Sequence, residues 1–292
     1  METWTIKKLL DWTTTYFTKH QVEWPHLEAE ILLAHALNFK RIDLYVQHEK
    51  VLSSEELARF KGFVERRLQH EPIAYITGFQ PFMGLDFIVT RDTLIPRPET
   101  EKLVETAIDF FSTPNSPLPT PYLIADIGTG SGAIAISLAK FLPQVKVFGI
   151  DISAAALEVA QQNANKHNVA DRCQFIQGNL LDPLIHRDKV TIDLIISNPP
   201  YIPAKDIPTL MADVKDFEPH GALDGGEDGL DYIRQLIDLS ANRLTANGLL
   251  LFEFGFGQAN EIVKYAQNKY AKIKIIKDNT GIERIFKGNK TI

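Results

Sequence analysis

One cysteine in 292 residues leaves no intramolecular disulfide on which to build a fold. That thiol, Cys173, lies in an apolar run and reads as a buried structural group of a reducing cytosol, not a nucleophile. Long hydrophobic runs are missing too. No stretch of about 18 apolar residues occurs, so no membrane span is expected. Basic excess is absent: 31 Lys and Arg face 37 Asp and Glu, and the net charge of −6 argues against a broad nucleic-acid footprint. The eight histidines show no metal-ligand spacing. Residues 1–10 carry Lys7 and Lys8 with no apolar core or cleavage site after them, which reads against a signal peptide. There is no internal repeat and no low-complexity segment. What remains is a soluble globular composition, 45% hydrophobic and 23% charged, long enough for one large or two ordinary domains.

The pattern changes character along the chain. Trp4, Ile6, Leu9, Leu10 and Trp12 begin one amphipathic helix. Leu27, Ile31, Leu32, Ala34 and Leu37 follow Pro25 in a second. Leu57, Phe60, Val64 and Leu68 make a third, with Ser53 or Ser54 as cap and Glu56 or Glu55 completing a capping box. Residues 79–95 alternate around Gly84 and predict a β-hairpin. From Pro96 on, strands alternate with helices. Strands are expected at 122–127, 145–150, 173–177, 192–196, 249–254, 273–276 and 282–286. Helices fall at 99–111, 133–142, 154–167, 230–244 and 258–267. Such alternation implies an α/β fold, a mainly parallel sheet with helices on both faces. The proline-rich stretch 113–121 reads as a surface loop.

Asn198-Pro199-Pro200-Tyr201 is the most informative stretch. It closes the apolar run 192–196, and two prolines cannot donate to a sheet ladder, so strand pairing stops there. The tetrapeptide therefore belongs at the carboxyl end of a strand, where open α/β sheets bind ligands. A planar NH2 is a poor nucleophile because its lone pair is delocalised. An enzyme that alkylates it must hold both N–H groups. The Asn198 side-chain oxygen can accept one, the Pro199 carbonyl the other, and the Tyr201 ring can flank the plane. A plain strand-ending turn explains the same prolines.

Asp126-Ile127-Gly128-Thr129-Gly130-Ser131-Gly132 joins an expected strand to a helix. Small residues let a ligand approach backbone and free N–H groups. Asp151 ends the next strand, where a carboxylate can grip both hydroxyls of a ribose. The third glycine comes one residue early for the dinucleotide fingerprint. The glycine loop alone leaves a dehydrogenase open. Combined with Asp126, Asp151 and the Asn198 tetrapeptide, it resembles class I methyltransferases that use S-adenosylmethionine (SAM). The resemblance implies a Rossmann-like seven-stranded domain, with Gly128, Thr129, Gly130, Ser131, Gly132 and Asp151 at the cofactor. It also implies Asn179 and Leu180 at the adenine, although the family usually has an aspartate at Asn179.

The tetrapeptide serves enzymes acting on adenine, on ribosomal-RNA guanine and on protein glutamine. Other segments discriminate. Residues 72–78 (PIAYITG), 94–101 (LIPRPETE), Glu218-Pro219 and 225–229 (GGEDG) resemble the peptide chain release factor glutamine N5-methyltransferases, the HemK/PrmC family. The likeness runs from about residue 71 to near the carboxyl terminus. It implies methyl transfer to the glutamine of a Gly-Gly-Gln motif in class 1 release factors, in the cytoplasm, with no membrane and no direct nucleic-acid substrate. It implies catalytic roles for Asn198, Pro199 and Tyr201, and substrate contacts from these, Pro200 and Arg97. An ordinary pair of Arg97 with Glu99 or Glu101 is the competing reading, and Glu253 reads as structural. The expected division is a helical substrate-binding domain over 1–78, a hairpin connector over 79–95 and a methyltransferase domain over 96–292. A ribosomal-protein glutamine methyltransferase, a nucleic-acid amine methyltransferase and a non-catalytic SAM-binding module are the alternatives.

Overall fold

The computed structural model describes residues 3–112, 121–185 and 191–290. The proline-rich loop expected at 113–121 lies, but for its last residue, outside the described residues. The chain divides into two compact units, one of Met1–Phe79 with Met211–Phe217, the other of Gln80–Leu210 with Glu218–Ile292.

The first unit is helical: α1 (Ile6–Lys19), α2 (Pro25–Leu37), α3 (Arg41–Val46), α4 (Ser54–Leu68), α5 (Ile73–Thr77) and the short α10 (Ala212–Lys215). Its core gathers Ile6, Leu9, Leu10 and Phe17 of α1, Leu32 and Leu33 of α2, and Phe60 and Val64 of α4. Helix α4 starts on the predicted capping box. Ser53 Oγ accepts from Glu56 N at 3.2 Å, and the Glu56 carboxylate accepts from Ser53 N at 2.8 Å. Helix α2 is buried nearly all round, including two acids. Arg67 pairs with Glu28 at 2.6 Å, and Arg41 and Tyr45 hold Glu30. The sequence reading missed α3 and α5, of six and five residues, which are too short to display a helical period. It also left Met211–Phe217 with the later part of the chain.

The predicted hairpin, β1 (Phe79–Phe82) and β2 (Leu85–Ile88), belongs but for Phe79 to the second unit. A seven-stranded sheet follows, built of β3 (Tyr122–Ile127), β4 (Val145–Asp151), β5 (Cys173–Gln177), β6 (Ile192–Ser197), β7 (Leu244–Glu253), β8 (Tyr270–Lys277) and β9 (Glu283–Lys290). The order is β5-β4-β3-β6-β7-β9-β8. The pairs among β5, β4, β3, β6 and β7 are parallel, and β9 runs antiparallel to both its neighbours.

Most strand residues alternate between two cores, as a period of two requires, and an irregularity between Ile192 and Leu194 interrupts the alternation at the start of β6. Ile124, Leu194, Ile196, Leu249 and Leu251 face a core shared with α6 (Pro98–Ser112), α7 (Ala133–Phe141) and α8 (Ala154–Lys166). Ala125, Ile127, Ile195, Leu250 and Phe252 face the other, shared with α9 (Asp182–Ile185), α11 (Asp231–Ser240) and α12 (Ala259–Ala266). Burial on both faces is why these strands read as continuous apolar runs. Asp193 interrupts one run and is satisfied inside, accepting from Leu123 N at 2.9 Å and Thr245 Oγ1 at 3.3 Å.

Asn163 on α8 fastens the hairpin to this unit. Its Oδ1 accepts from Ile88 N at 2.7 Å, and its Nδ2 donates to Ile88 O and Ser131 O, both at 2.9 Å. The side chain is fully buried. Asn163→Leu removes all three bonds and strands their partners, so it should cost roughly 2–4 kcal/mol of stability. Urea unfolding is the check. A loss within about 0.5 kcal/mol would mean that the hairpin is held by other contacts.

Candidate active site

Strand order reverses between β3 and β6, and a crevice opens outside their carboxyl ends. A cavity of about 310 Å³ occupies it. Gly128 and Gly130 after β3, Asp151 and Ser153 after β4, Gly178 to Leu180 after β5, and Ser197 to Pro200 at the end of β6 line its wall. Arg91 to Leu94, leaving the hairpin, and Pro219, Ala222 and Tyr232 complete it.

The glycines of the first loop divide by role. Gly128 and Gly130 take φ of +68° and +55°, and a Cβ added at either would meet nothing within 4 Å. Their open side is the cavity they line. At Gly132 an added Cβ would strike Ile136 Cδ1 at 2.8 Å and Ala160 Cβ at 3.1 Å, so this glycine serves helix packing. Thr129 and Ser131 are buried and do not line the cavity. The Thr129 hydroxyl donates to Asp126 Oδ2 at 2.6 Å, and Ser131 O accepts from Asn163. Asp126 has no exposed surface and also accepts from Ala135 N at 3.1 Å, while its Oδ1 has no partner among the described residues. Burial pushes its carboxyl up to about 7, against the pull of these two bonds.

Asp151 spans the loop and the next helix. Oδ2 accepts from Gly130 N and Oδ1 from Ser153 N, each at 2.9 Å. Every carboxylate oxygen can accept twice, so each keeps one site for a ligand. Leu180 is buried at a positive φ of 47°, and Asn179 beside it is exposed.

At the end of β6, Asn198 Nδ2 donates to Thr100 Oγ1 at 3.0 Å. Thr100 donates onward to Glu253 Oε2 at 2.7 Å. Tyr201 O–H donates to the other oxygen, Glu253 Oε1, at 3.0 Å. Glu253 is only 2% exposed, and burial raises its carboxyl while the two hydroxyls and the charge of Arg284 oppose the rise. Burial and the Glu253 charge push the Tyr201 phenol far upward, so it stays a donor. Tyr201 is fixed from behind as well: Gln258 Nε2 donates to its carbonyl at 2.9 Å. A Cβ on Gly225 would lie 2.8 Å from Tyr201 Cα, and one on Gly229 2.3 Å from Tyr201 O. Those glycines are small so that the tetrapeptide can be backed closely.

The sequence-derived site residues are thus partly gathered. Asn198, Pro199, Pro200, Asp151, Gly128, Gly130, Asn179 and Leu180 share the cavity, whereas Tyr201, Thr129, Ser131, Gly132 and Arg97 are not among its lining. Arg97 pairs with neither Glu99 nor Glu101 but with the buried Glu218, which also accepts from Ile95 N at 3.4 Å. Two segments read separately in the sequence are therefore one joint. Sequence reasoning missed the wall from Arg91 to Leu94, taken there only as part of a hairpin, and the Thr100–Glu253 link.

This fold and cavity define a Rossmann-like methyltransferase. The methyltransferase domain family matches residues 122–219, and the PrmC N-terminal domain family matches residues 8–78. The release factor glutamine methyltransferase of Geobacter sulfurreducens is 42% identical over 288 residues, covering 98% of this chain and 97% of that one. The enzyme of the same name from Moorella thermoacetica is 44% identical over 267 residues, 91% of each chain. Among solved structures, a methyltransferase from Pyrococcus furiosus aligns with a TM-score of 0.51 at 20% identity, covering 78% of this chain and 98% of that one. A human methyltransferase 10 domain containing protein aligns with a TM-score of 0.51 at 18% identity, covering 70% and 88%. These two show the fold. The chain belongs to the release factor glutamine methyltransferase family.

The cofactor of this class is SAM, which supplies an electrophilic methyl group. The residues present fit it: two glycines leave the cavity wall open, and Asp151 has one acceptor site to spare on each oxygen.

Asp126 yields a pH prediction. Unfolded, its carboxyl ionises near 3.8, but folded near about 7, so between these values the folded chain holds the extra proton. Its contribution is therefore intact below pH of about 4 and is lost as pH rises through 7, on the order of 4 kcal/mol in all. Asp126→Asn keeps an oxygen for Thr129 and Ala135 but cannot ionise. Relative to this variant, the wild-type chain should lose roughly 3–4 kcal/mol of unfolding free energy between pH of about 4.5 and 7.5. A pH-independent difference in paired urea titrations would contradict the raised carboxyl.

Proposed function

We propose that this cavity transfers a methyl group from SAM to the side-chain amide nitrogen of the glutamine in the Gly-Gly-Gln motif of class 1 release factors. The observation that carries the reading is Asn198. It lines the cavity, and with Nδ2 given to Thr100 its Oδ1 is left to accept an amide N–H. The Pro199 carbonyl takes the second N–H and Pro200 flanks the amide, while Tyr201, outside the cavity lining, is held behind them by Glu253. The relatives' name, over nearly the full length of both chains, supports glutamine rather than a nucleobase as the acceptor.

Gly128 and Gly130 bring backbone against the cofactor, Asp151 takes the ribose hydroxyls, and Leu180 with Asn179 borders the adenine. Thr129, Ser131 and Gly132 act behind that surface, by shaping the loop. Arg97 shapes the rim through Glu218 instead of meeting substrate directly. The amide nitrogen needs no base before attack, because its proton is lost easily once the nitrogen is cationic. Holding the nucleophile in line is then the main device, and such alignment is worth roughly 7–11 kcal/mol. Residues 1–78 serve as the surface that holds the release factor, 79–95 as the connector and 96–292 as the transferring domain. A cytoplasmic setting follows from that partner.

Mass spectrometry of a release factor mixed with the protein and SAM tests the reading, with methylation expected on the one glutamine. Methylation of a ribosomal protein or an RNA instead would move the chain to another substrate class. Asn198→Ala should slow single-turnover transfer by at least about a hundredfold and weaken SAM binding much less. Near-wild-type turnover would remove Asn198 from its role.

A further inference from the structure

A carboxamide is nearly symmetric in shape, so an asparagine at a cavity wall can present either its oxygen or its NH2. The two are opposite in chemistry. Only the oxygen can accept from a substrate amide; the flipped side chain would set N–H against N–H. Something must choose between them, and packing cannot, because the two ends have almost the same volume.

We propose that Thr100 and Glu253 are positioning residues that make this choice. The inference rests on the reading of Asn198 as the acceptor of the substrate amide. Each hydroxyl has one proton. Thr100 commits its proton to Glu253 Oε2, so toward Asn198 it shows only lone pairs and accepts from Nδ2. Tyr201 commits its proton to Glu253 Oε1. When ionised, the Glu253 carboxylate can only accept, so its two oxygens set the sense of both hydroxyls at once. A flip of Asn198 would place Oδ1 against the Thr100 lone pairs and lose the bond. Glu253 sits beneath solvent, 2% exposed, where such a mismatch is not screened. Thr100 is likewise buried at 4% exposure. Glu253 never touches the substrate in this arrangement; it acts through Thr100 on Asn198 and directly on Tyr201.

Three variants of the full chain test the relay. Thr100→Val keeps the shape and removes the hydroxyl. Thr100→Ser keeps the hydroxyl. Glu253→Gln supplies an NH2 that can donate where the carboxylate could only accept. Single-turnover methylation of a release factor should fall roughly tenfold to a hundredfold in Thr100→Val and in Glu253→Gln. SAM affinity by calorimetry should stay within about twofold, and Thr100→Ser should return to within about threefold of wild type. A second readout needs no activity. The Asn198 side-chain NH2, identified by its loss in Asn198→Ala, should show one hydrogen-bonded proton in nitrogen-15 NMR spectra of the wild type and of Thr100→Ser. In Thr100→Val that signature should vanish.

Equal slowing by Thr100→Val and Thr100→Ser would mean that keeping the hydroxyl does not protect transfer, and would overturn the proposal. So would a wild-type transfer rate in Thr100→Val, or an Asn198 signature unchanged there. Should Glu253→Gln fail to fold, the threonine pair and the NMR comparison still decide. A wild-type protein that methylates no release factor would instead defeat the functional reading, and the NMR comparison would judge the relay by itself.

Discussion

Strand β6 fixes everything that follows. All six of its residues are buried, and it lies between β3 and β7 with side chains in both cores. A strand held so completely cannot slip by one residue without sending its whole apolar set to the wrong face. Its end is equally fixed, because Pro199 and Pro200 offer no N–H to continue the ladder. Asn198 is thereby placed at one point of the crevice by constraints that have nothing to do with catalysis. The first glycine loop is placed the same way, by the end of β3 in register with β6.

Around that rigid base the site is organised by buried acids. Each solves the cost of burial differently. Asp193 takes a backbone N–H and a threonine hydroxyl. Glu218 takes Arg97 and so ties the segment before α6 to the segment after the tetrapeptide. Glu253 takes two hydroxyls, and its satisfaction fixes the sense of a chain that reaches Asn198. Asp126 is only half satisfied, which is why burial can hold its proton near neutral pH. An unpaired buried charge is far more costly than a bonded one, so the bonds these acids make are specific.

The strands and the tetrapeptide were legible because their signals are local. Runs such as Ile192–Ser197 and Tyr122–Ile127 announce strands buried on both faces, and the prolines mark where one ends. The capping box at Ser53 and Glu56 spans three residues and was equally plain. What stayed hidden is non-local. Thr100 and Glu253 are 153 residues apart, and Arg97 and Glu218 are 121 apart. The sequence offers Arg97 two nearer acids, at Glu99 and Glu101, and nothing in the spacing says that it will ignore both. Glycine roles were hidden for a related reason. Gly128, Gly130 and Gly132 look alike in a line, and only the neighbours of an absent Cβ separate the two that open a cavity from the one that packs a helix. Helices α3 and α5 are too short to carry a period at all.

The placement of Glu253 has a further logic. A carboxylate standing where Asn198 stands would accept an N–H more strongly than an amide oxygen does. It would also be an anionic nucleophile facing an electrophilic methyl group, and a competitor for it. An amide oxygen is a far weaker nucleophile, and being neutral it needs something else to hold its direction. Setting the charge one hydroxyl further back, beneath Thr100, supplies that direction and keeps the anion away from the cavity that Asn198 lines. The same carboxylate holds the Tyr201 hydroxyl, so the first and last members of the tetrapeptide are oriented by one buried group. A site of this kind can align a weak neutral nucleophile without offering a better one of its own.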